Sequence, residues 1–294
     1  MLKINNLKVK YGDLLALDID QELYIEDADK IGIIGSNGAG KSTLIKAILD
    51  LVNYSGNISF RDSKDNISVH MQDNNYSENV NVAEIIELVT GSDWKSDEKL
   101  KELVEFFSFQ DSLKKKFKHL SGGQKQRLTL ILVLYQETSL VLFDEVTSGL
   151  DYETRQDLVE LLMRWYEDKG TTICYVTHYY EELELLADKI LLLDHGKLIC
   201  FGDKVELFEK YCGYNAFIIN TQNYIPELDV FKKLYSPEHI TAFRADNEEE
   251  STVISQVLIE KNINFKKTNN DIELMSFNAI RQYKQNNGSL NYEK

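Results

Sequence analysis

The sequence predicts an α/β fold: a parallel core sheet, an antiparallel β layer, a helical insert and a small C-terminal α+β domain. Three observations predict it. An apolar run, Ile31 to Ile34, passes through a glycine-rich stretch into a segment with helical apolar spacing (Leu44, Ile45, Ile48, Leu49). Two further β-rich runs, Leu140 to Phe143 and Thr171 to Val176, each stop at polar residues, as strands do at the ligand-facing edge of an open α/β sheet. From about Val82 to His119 clear strand signals vanish and apolar residues recur at helical spacing (Val82, Ile85, Ile86, Val89; Leu100, Leu103, Val104, Phe107), which marks an insert.

Composition limits the function. The 294 residues are 43% apolar, enough for one large domain with a small appendage and a packed core. A net charge of −15 disfavours binding to a nucleic-acid backbone, and Lys114 to Lys118 reads as a solvated face. Cys174, Cys200 and Cys212 have no metal-type spacing and fit buried thiols in a reducing compartment. The N-terminus lacks the long apolar centre of an export signal, which points to the cytosol. Leu128 to Phe143, the most apolar region, is broken by Gln136 to Ser139 and falls short of the about 20 residues that span a bilayer, so any membrane crossing belongs to another chain.

Residues 2 to 9 and Leu15 to Ile25 alternate apolar and polar, the pattern of an antiparallel layer with one wet face. Tyr11-Gly12 lies between them, and spacing alone makes Tyr11 a turn residue packing on the sheet. The Ile31 to Ile34 strand leads into Gly35-Ser36-Asn37-Gly38-Ala39-Gly40-Lys41-Ser42-Thr43, which fits the P-loop pattern. Small residues there let backbone N–H groups point at a phosphate, and the helix from Ser42 to about Leu51 adds its positive dipole end. Lys41 reaches outer phosphates, and the Ser42 hydroxyl can ligate Mg²⁺. Short strands follow near Asn57 to Phe60 and Ile67 to Met71, ending at Gln72. After the insert, Leu120-Ser121-Gly122-Gly123-Gln124 opens an apolar helix, with Ser121 as its N-cap and a second potential anion site at its start.

Asp144-Glu145 closes the Leu140 strand. The pair reads either as a cap for the helix Thr154 to Tyr166 or, given the P-loop, as a metal-supporting Asp and a water-orienting Glu. His178 follows the Thr171 to Val176 strand, as a core or cap histidine or on a ligand rim. A hairpin turning at His195-Gly196 closes the main domain near Asp203. Beyond it, the expected elements are a strand at Ala216 to Ile219, a helix at Pro226 to Leu234, a strand at His239 to Phe243 and a helix at Glu249 to Asn262. Strands at Phe265 and Ile272 to Phe277, a short helix and a frayed tail complete the chain.

Over residues 1 to 203 the chain resembles the nucleotide-binding subunits of ABC transporters: P-loop, Leu120 to Gln124 signature, Asp144-Glu145, Ser148-Gly149-Leu150-Asp151 and His178 share the family's order and spacing. The resemblance implies a P-loop NTPase of the ABC type, residues 1–203, with a helical subdomain at about 82–130 and an accessory α+β domain over 204–294. It implies ATP and Mg²⁺ as cofactors. Ser36, Asn37, Gly38, Ala39, Gly40, Lys41, Ser42 and Thr43 would hold the phosphates, with Tyr11 stacked on adenine. Ser42, Gln72 and Asp144 would serve the metal; Gln72 would also touch the membrane partner. Catalysis would use Glu145 to polarise water, His178 on the γ-phosphate and Lys41. Ser121, Gly122, Gly123, Gln124 and Asp151 would act across a dimer interface, completing the site of a second ATPase subunit. Ser36 and Val146 stand where the family usually has proline. The Asp144 to Asp151 and Thr177 to Glu182 segments are similar to subunits of drug, bacteriocin and peptide exporters whose permease is a separate chain, so an exporter is favoured over an importer. Such a subunit is peripheral on the inner face of the membrane. A soluble ABC protein gating a ribosome or another assembly ranks below it, since those generally carry two ATPase halves.

Overall fold

The computed structural model describes residues 1–61, 66–71 and 76–288, and the fold is the fold of those residues. The chain opens with β1 (Leu2–Tyr11), β2 (Leu14–Ile19) and β3 (Leu23–Ile25), and β5 (Tyr54–Phe60) also pairs antiparallel with β1. This is the predicted antiparallel layer, but Leu15 to Ile25 forms two strands rather than one. Both run antiparallel to β1 along the same edge, β2 against Leu7 to Tyr11 and β3 against Leu2 to Ile4, while β5 takes the opposite edge.

The parallel core runs β9-β4-β8-β7-β6, from β4 (Lys30–Ile34), β6 (Ile67–His70), β7 (Leu140–Asp144), β8 (Thr172–Val176) and β9 (Lys189–Asp194). β7 and β8 are buried at every residue, as expected of strands covered on both faces. β10 (Lys197–Asp203) pairs antiparallel with β9 and touches β2 at Lys197 and Asp18, which joins layer and core into one ten-stranded sheet.

Helix α1 (Lys41–Ile48) follows β4, and β6 leads into α2 (Val82–Thr90), α3 (Glu98–Phe106) and α4 (Gly122–Tyr135). Leu128 to Leu134 of α4 are buried at every position, so this helix is enclosed on all sides by α2, α3 and the sheet. Each such leucine contributes about 1.5–3 kcal/mol on burial. All three cysteines are buried free thiols. No helix among the described residues is long and apolar enough to cross a membrane.

After α5 (Tyr152–Tyr166) and α6 (Tyr180–Leu186), the chain past β10 differs from expectation in three places. A helix, α7 (Lys204–Cys212), forms where none is expected; Asp203 caps it, and Leu207, Phe208, Tyr211 and Cys212 are its buried face. Pro226 to Leu234 is a single 3-10 turn, Pro226–Val230, followed by strand β12 (Lys232–Leu234), which pairs with β13 (Ile240–Ala245). Ile272 to Phe277 is helical, the start of α9 (Ile272–Asn286). Asp271 accepts from the Leu274 N–H at 2.9 Å, and Ile272, Leu274, Met275 and Ala279 join the hydrophobic core that includes Leu183 and Ile190. The remaining elements, β11 (Asn215–Asn220), α8 (Glu248–Glu260) and β14 (Phe265–Thr268), complete a four-stranded sheet, β12-β13-β11-β14, with its own core around Phe217, Phe243 and Ile254.

Candidate functional site

The glycine-rich loop springs from the central strand β4. Gly35 has φ +152°, and a Cβ there would lie 2.2 Å from the Leu193 carbonyl oxygen, so only glycine lets the loop run against β9. Gly40 at φ +102° turns the chain into α1. Lys41 Nζ donates to the Gly35 and Ser36 carbonyls at 2.8 and 3.2 Å, and the side chain is buried. Burial lowers its pKa, opposed by the carboxylates of Glu145 and Asp144.

Asp144 ends β7, 2% exposed, and accepts from the Ser42 hydroxyl at 3.4 Å. Burial raises its pKa, with the Ser42 hydrogen bond opposing. A buried carboxylate beside a hydroxyl is a hard-oxygen donor set that gains from a divalent cation. Mg²⁺ takes one or two protein ligands of this kind together with phosphate oxygens, so the residues fit that ion.

Glu145 sits in the left-handed region, φ +53°, with its N–H donating to the Val176 carbonyl at 3.0 Å. That bond is the last between β7 and β8, and beyond it His178 Nε2 lies 2.6 Å from Glu145 Oε1. Behind the pair is a buried polar layer. Tyr175 donates its hydroxyl to Glu182 at 3.1 Å, and Arg155 lies 3.6 Å from Glu182 with its guanidinium 3.7 Å from the Tyr179 ring centroid. Burial raises the Glu182 pKa, and hydrogen bonds from Thr177, Thr147 and Tyr175 pull it back. The layer ties α5 and α6 to the strand ends that carry Glu145 and His178. Tyr179 and Glu182 fall in the Thr177 to Glu182 segment, but no sequence pattern points to Arg155 or Tyr175 or to their contacts with Glu182.

Tyr11, Asn37 to Thr43, Glu145 and His178 line one cleft of about 540 Å³. The Tyr11 side is half-exposed. Ser36 contributes its carbonyl to the loop rather than a wall, and Asp144 lies beneath, reached through Ser42. Leu14 to Ala16 and His195 also line the cleft, and sequence patterns do not point to them. Leu14 to Ala16 open β2 and His195 stands on the turn between β9 and β10, and the pairing of β2 with β10 brings them together at the loop.

Ser121, Gly122, Gly123, Gln124 and Asp151 are elsewhere, and none lines that cleft. Ser121 and Gln124 cap their own helix reciprocally, the Ser121 hydroxyl accepting from Gln124 N–H at 3.3 Å and the Gln124 amide oxygen from Ser121 N–H at 3.1 Å. Asp151 caps α5 through Thr154, at 3.0 Å from its N–H. The cap of α5 is therefore Asp151, not Asp144-Glu145. The two helix starts adjoin: a Cβ on Gly123 would meet Thr154 Cγ2 at 2.7 Å, and one on Gly122 would meet Leu150 at 3.5 Å. Gln72 lies outside the described residues.

The family model described as ABC transporter matches residues 20–148, which take in this loop and the Asp144-Glu145 pair. The methionine import ATP-binding protein MetN of Clostridium tetani is 29% identical over 284 residues, covering 90% of this chain and 86% of that protein. The energy-coupling factor transporter ATP-binding protein EcfA1 of Mycoplasmopsis pulmonis is 32% identical over 70% of this chain and 84% of its own length. The Nod factor export ATP-binding protein I of a Rhizobium species is 31% identical, covering 72% and 74%. Among solved structures, an ATP binding subunit of an ABC transporter superposes with a TM-score of 0.63 at 24% identity, over 72% of this chain and 93% of its own, which shows the shared fold. The chain therefore belongs to the ABC transporter family as an ATP-hydrolysing subunit, one that uses ATP with Mg²⁺ and works in a pair on a membrane permease.

Proposed function

We propose that the chain is the ATPase of an importer, attached to the cytoplasmic face of the membrane through its permease. One observation carries the chemistry: Lys41, Ser42, Glu145 and His178, from segments far apart in sequence, line the same cleft, with Asp144 beneath it in contact with Ser42. There Lys41 and the backbone of Ser36 to Thr43 hold the phosphates, and the half-exposed Tyr11 ring is available to the base. Ser42 and Asp144, with Gln72, serve Mg²⁺. Glu145 accepts the proton of the attacking water, and His178, now against Glu145, orients the outer phosphate. Phosphoryl transfer is mainly positioning and charge neutralisation, which this constellation supplies. Ser121 to Gln124 and Asp151 share a face away from the cleft, and this supports their action on the cleft of a second subunit. Residues 1–203 then form the ATPase domain and 204–294 an accessory domain.

Import is supported by the methionine import proteins of Clostridium tetani and Campylobacter jejuni, whose alignments span 90% and 95% of this chain and so take in its C-terminal sheet. A small nutrient such as methionine is the cargo class this favours, in place of the exported peptide that the sequence motifs suggest. Export keeps one supporting observation, the Nod factor relative.

Glu145→Gln tests the mechanism. ATP binding should persist while turnover falls about 10²-fold or more, the scale of a lost general base, and a stable dimer should accumulate with ATP. Normal hydrolysis by that variant would remove Glu145 from the role. Direction is tested in vesicles holding the co-purified permease: ATP-driven methionine uptake is expected, and extrusion of an amphipathic peptide instead would return the reading to export.

A further inference from the structure

A second cleft, of about 720 Å³, lies between α7, α9 and the β12–β13 hairpin, and shares no residue with the P-loop cleft. Its wall carries five cationic side chains, Lys210, Lys232, Lys233, Arg244 and Arg281, and no carboxylate among the described residues. In a chain of net charge −15 this concentration needs an explanation. Asp246 pairs with Lys232 and Arg244, and Asp229 pairs with Lys233 at 3.0 Å. Two carboxylates against five cations leave three positive charges in excess.

The remaining two cations are held by rings. Arg281 stacks its guanidinium 4.4 Å from the Tyr235 ring centroid, and Lys210 lies 5.0 Å from that of Tyr211. Ring contacts fix the positions of these heads without neutralising them. Like charges gathered in a concave wall repel one another and focus a positive potential, and an anion seated among them relieves both effects. Guanidinium groups offer paired donors matched to phosphate oxygens, with lysines as supplementary point charges. Ser236, Gln282 and Gln285 add neutral donors on the same wall. The volume is in the range of small-molecule sites, about 300–1,000 Å³.

We propose that this cleft binds a small polyanion bearing phosphate groups, gripped by Arg244 and Arg281 with Lys210, Lys232 and Lys233 around it. The charge excess selects the class: a monocarboxylate leaves most of it unbalanced, whereas a diphosphate matches it. The site also bridges two bodies of packing. α7 and α9 lie against β10, and α9 against α6, while β12 and β13 belong to the C-terminal sheet, so a bound polyanion ties that sheet to the ATPase core.

The test is calorimetric titration of inorganic pyrophosphate into the full chain carrying Lys41→Ala, which removes the P-loop's lysine grip on phosphate. One saturable site is expected, weakening as salt is added. Adding Lys210→Gln and Arg281→Gln should lower affinity at least tenfold; both side chains are exposed, and an unchanged melting temperature confirms that the fold is kept. No pyrophosphate binding, or equal binding with and without those two substitutions, overturns the proposal. So does co-sedimentation with phosphatidylglycerol vesicles, sensitive to the same substitutions, in a chain that does not bind pyrophosphate, because the anion is then a membrane surface.

Discussion

Gly35 shows how much can rest on one missing carbon. Its φ of +152° and the 2.2 Å approach of a built Cβ to the Leu193 oxygen leave no room for a side chain against backbone. Gly35→Ala should therefore displace the loop, reduce ATP affinity at least tenfold and cost about 1–3 kcal/mol of stability, read from nucleotide titration and chemical unfolding. Unchanged affinity would mean that the loop has slack. The need for glycine is legible in the P-loop pattern; the atom that enforces it belongs to β9, distant in sequence. The same holds for Glu145 and His178. Both stand out by position after a strand, but their 2.6 Å contact depends on the parallel pairing of β7 with β8.

Among elements, α4 carries two duties at its first turn. Ser121 satisfies its own helix through the reciprocal cap with Gln124, and in the proposed dimer it also faces a neighbour's ATP. Ser121→Ala should lose about 1 kcal/mol in urea unfolding without nucleotide, the usual worth of an N-cap. It should separately weaken ATP-induced dimerisation. A variant with normal stability and impaired pairing would assign the serine to the interface alone. At the other end of the chain, α7 has a sequence signal, Leu207, Phe208, Tyr211 and Cys212 at helical spacing behind Asp203, but it is short and follows directly on a hairpin strand. The segment Ile272 to Phe277 has an ambiguous one. A short mixed apolar run fits strand or helix, and the Asp271 cap with packing on α6, α7 and β10 decides for helix.

Across the whole molecule, His70 links the site's framework to pH. It ends β6, fully buried, with Nε2 2.8 Å from the Gln126 side-chain oxygen on α4, and burial lowers its pKa from 6.5 to about 4. The unfolded chain therefore binds a proton that the folded chain refuses between those values. Stability from this group is intact above pH 6.5 and declines as pH falls toward 4, by up to about 3 kcal/mol. Urea unfolding of wild type and His70→Gln at pH 7.5 and pH 5 should show the wild type losing more of its stability on acidification; parallel losses would refute the assignment.

By itself the sequence determined the α/β class, the main strands of residues 1 to 203 and the glycine-loop and strand-end residues proposed to meet ATP, because those features are local. Each is an apolar run, a glycine pattern or a polar residue at a strand end. Tertiary structure alone decided what adjoins what: the ten-stranded merger of two β layers, His195 beside the P-loop, the Arg155–Glu182 layer behind the Glu145–His178 pair, and the cationic cleft closed by α9. Contacts of this kind join segments tens to hundreds of residues apart, and no local spacing encodes which of the possible apolar faces a helix finally covers.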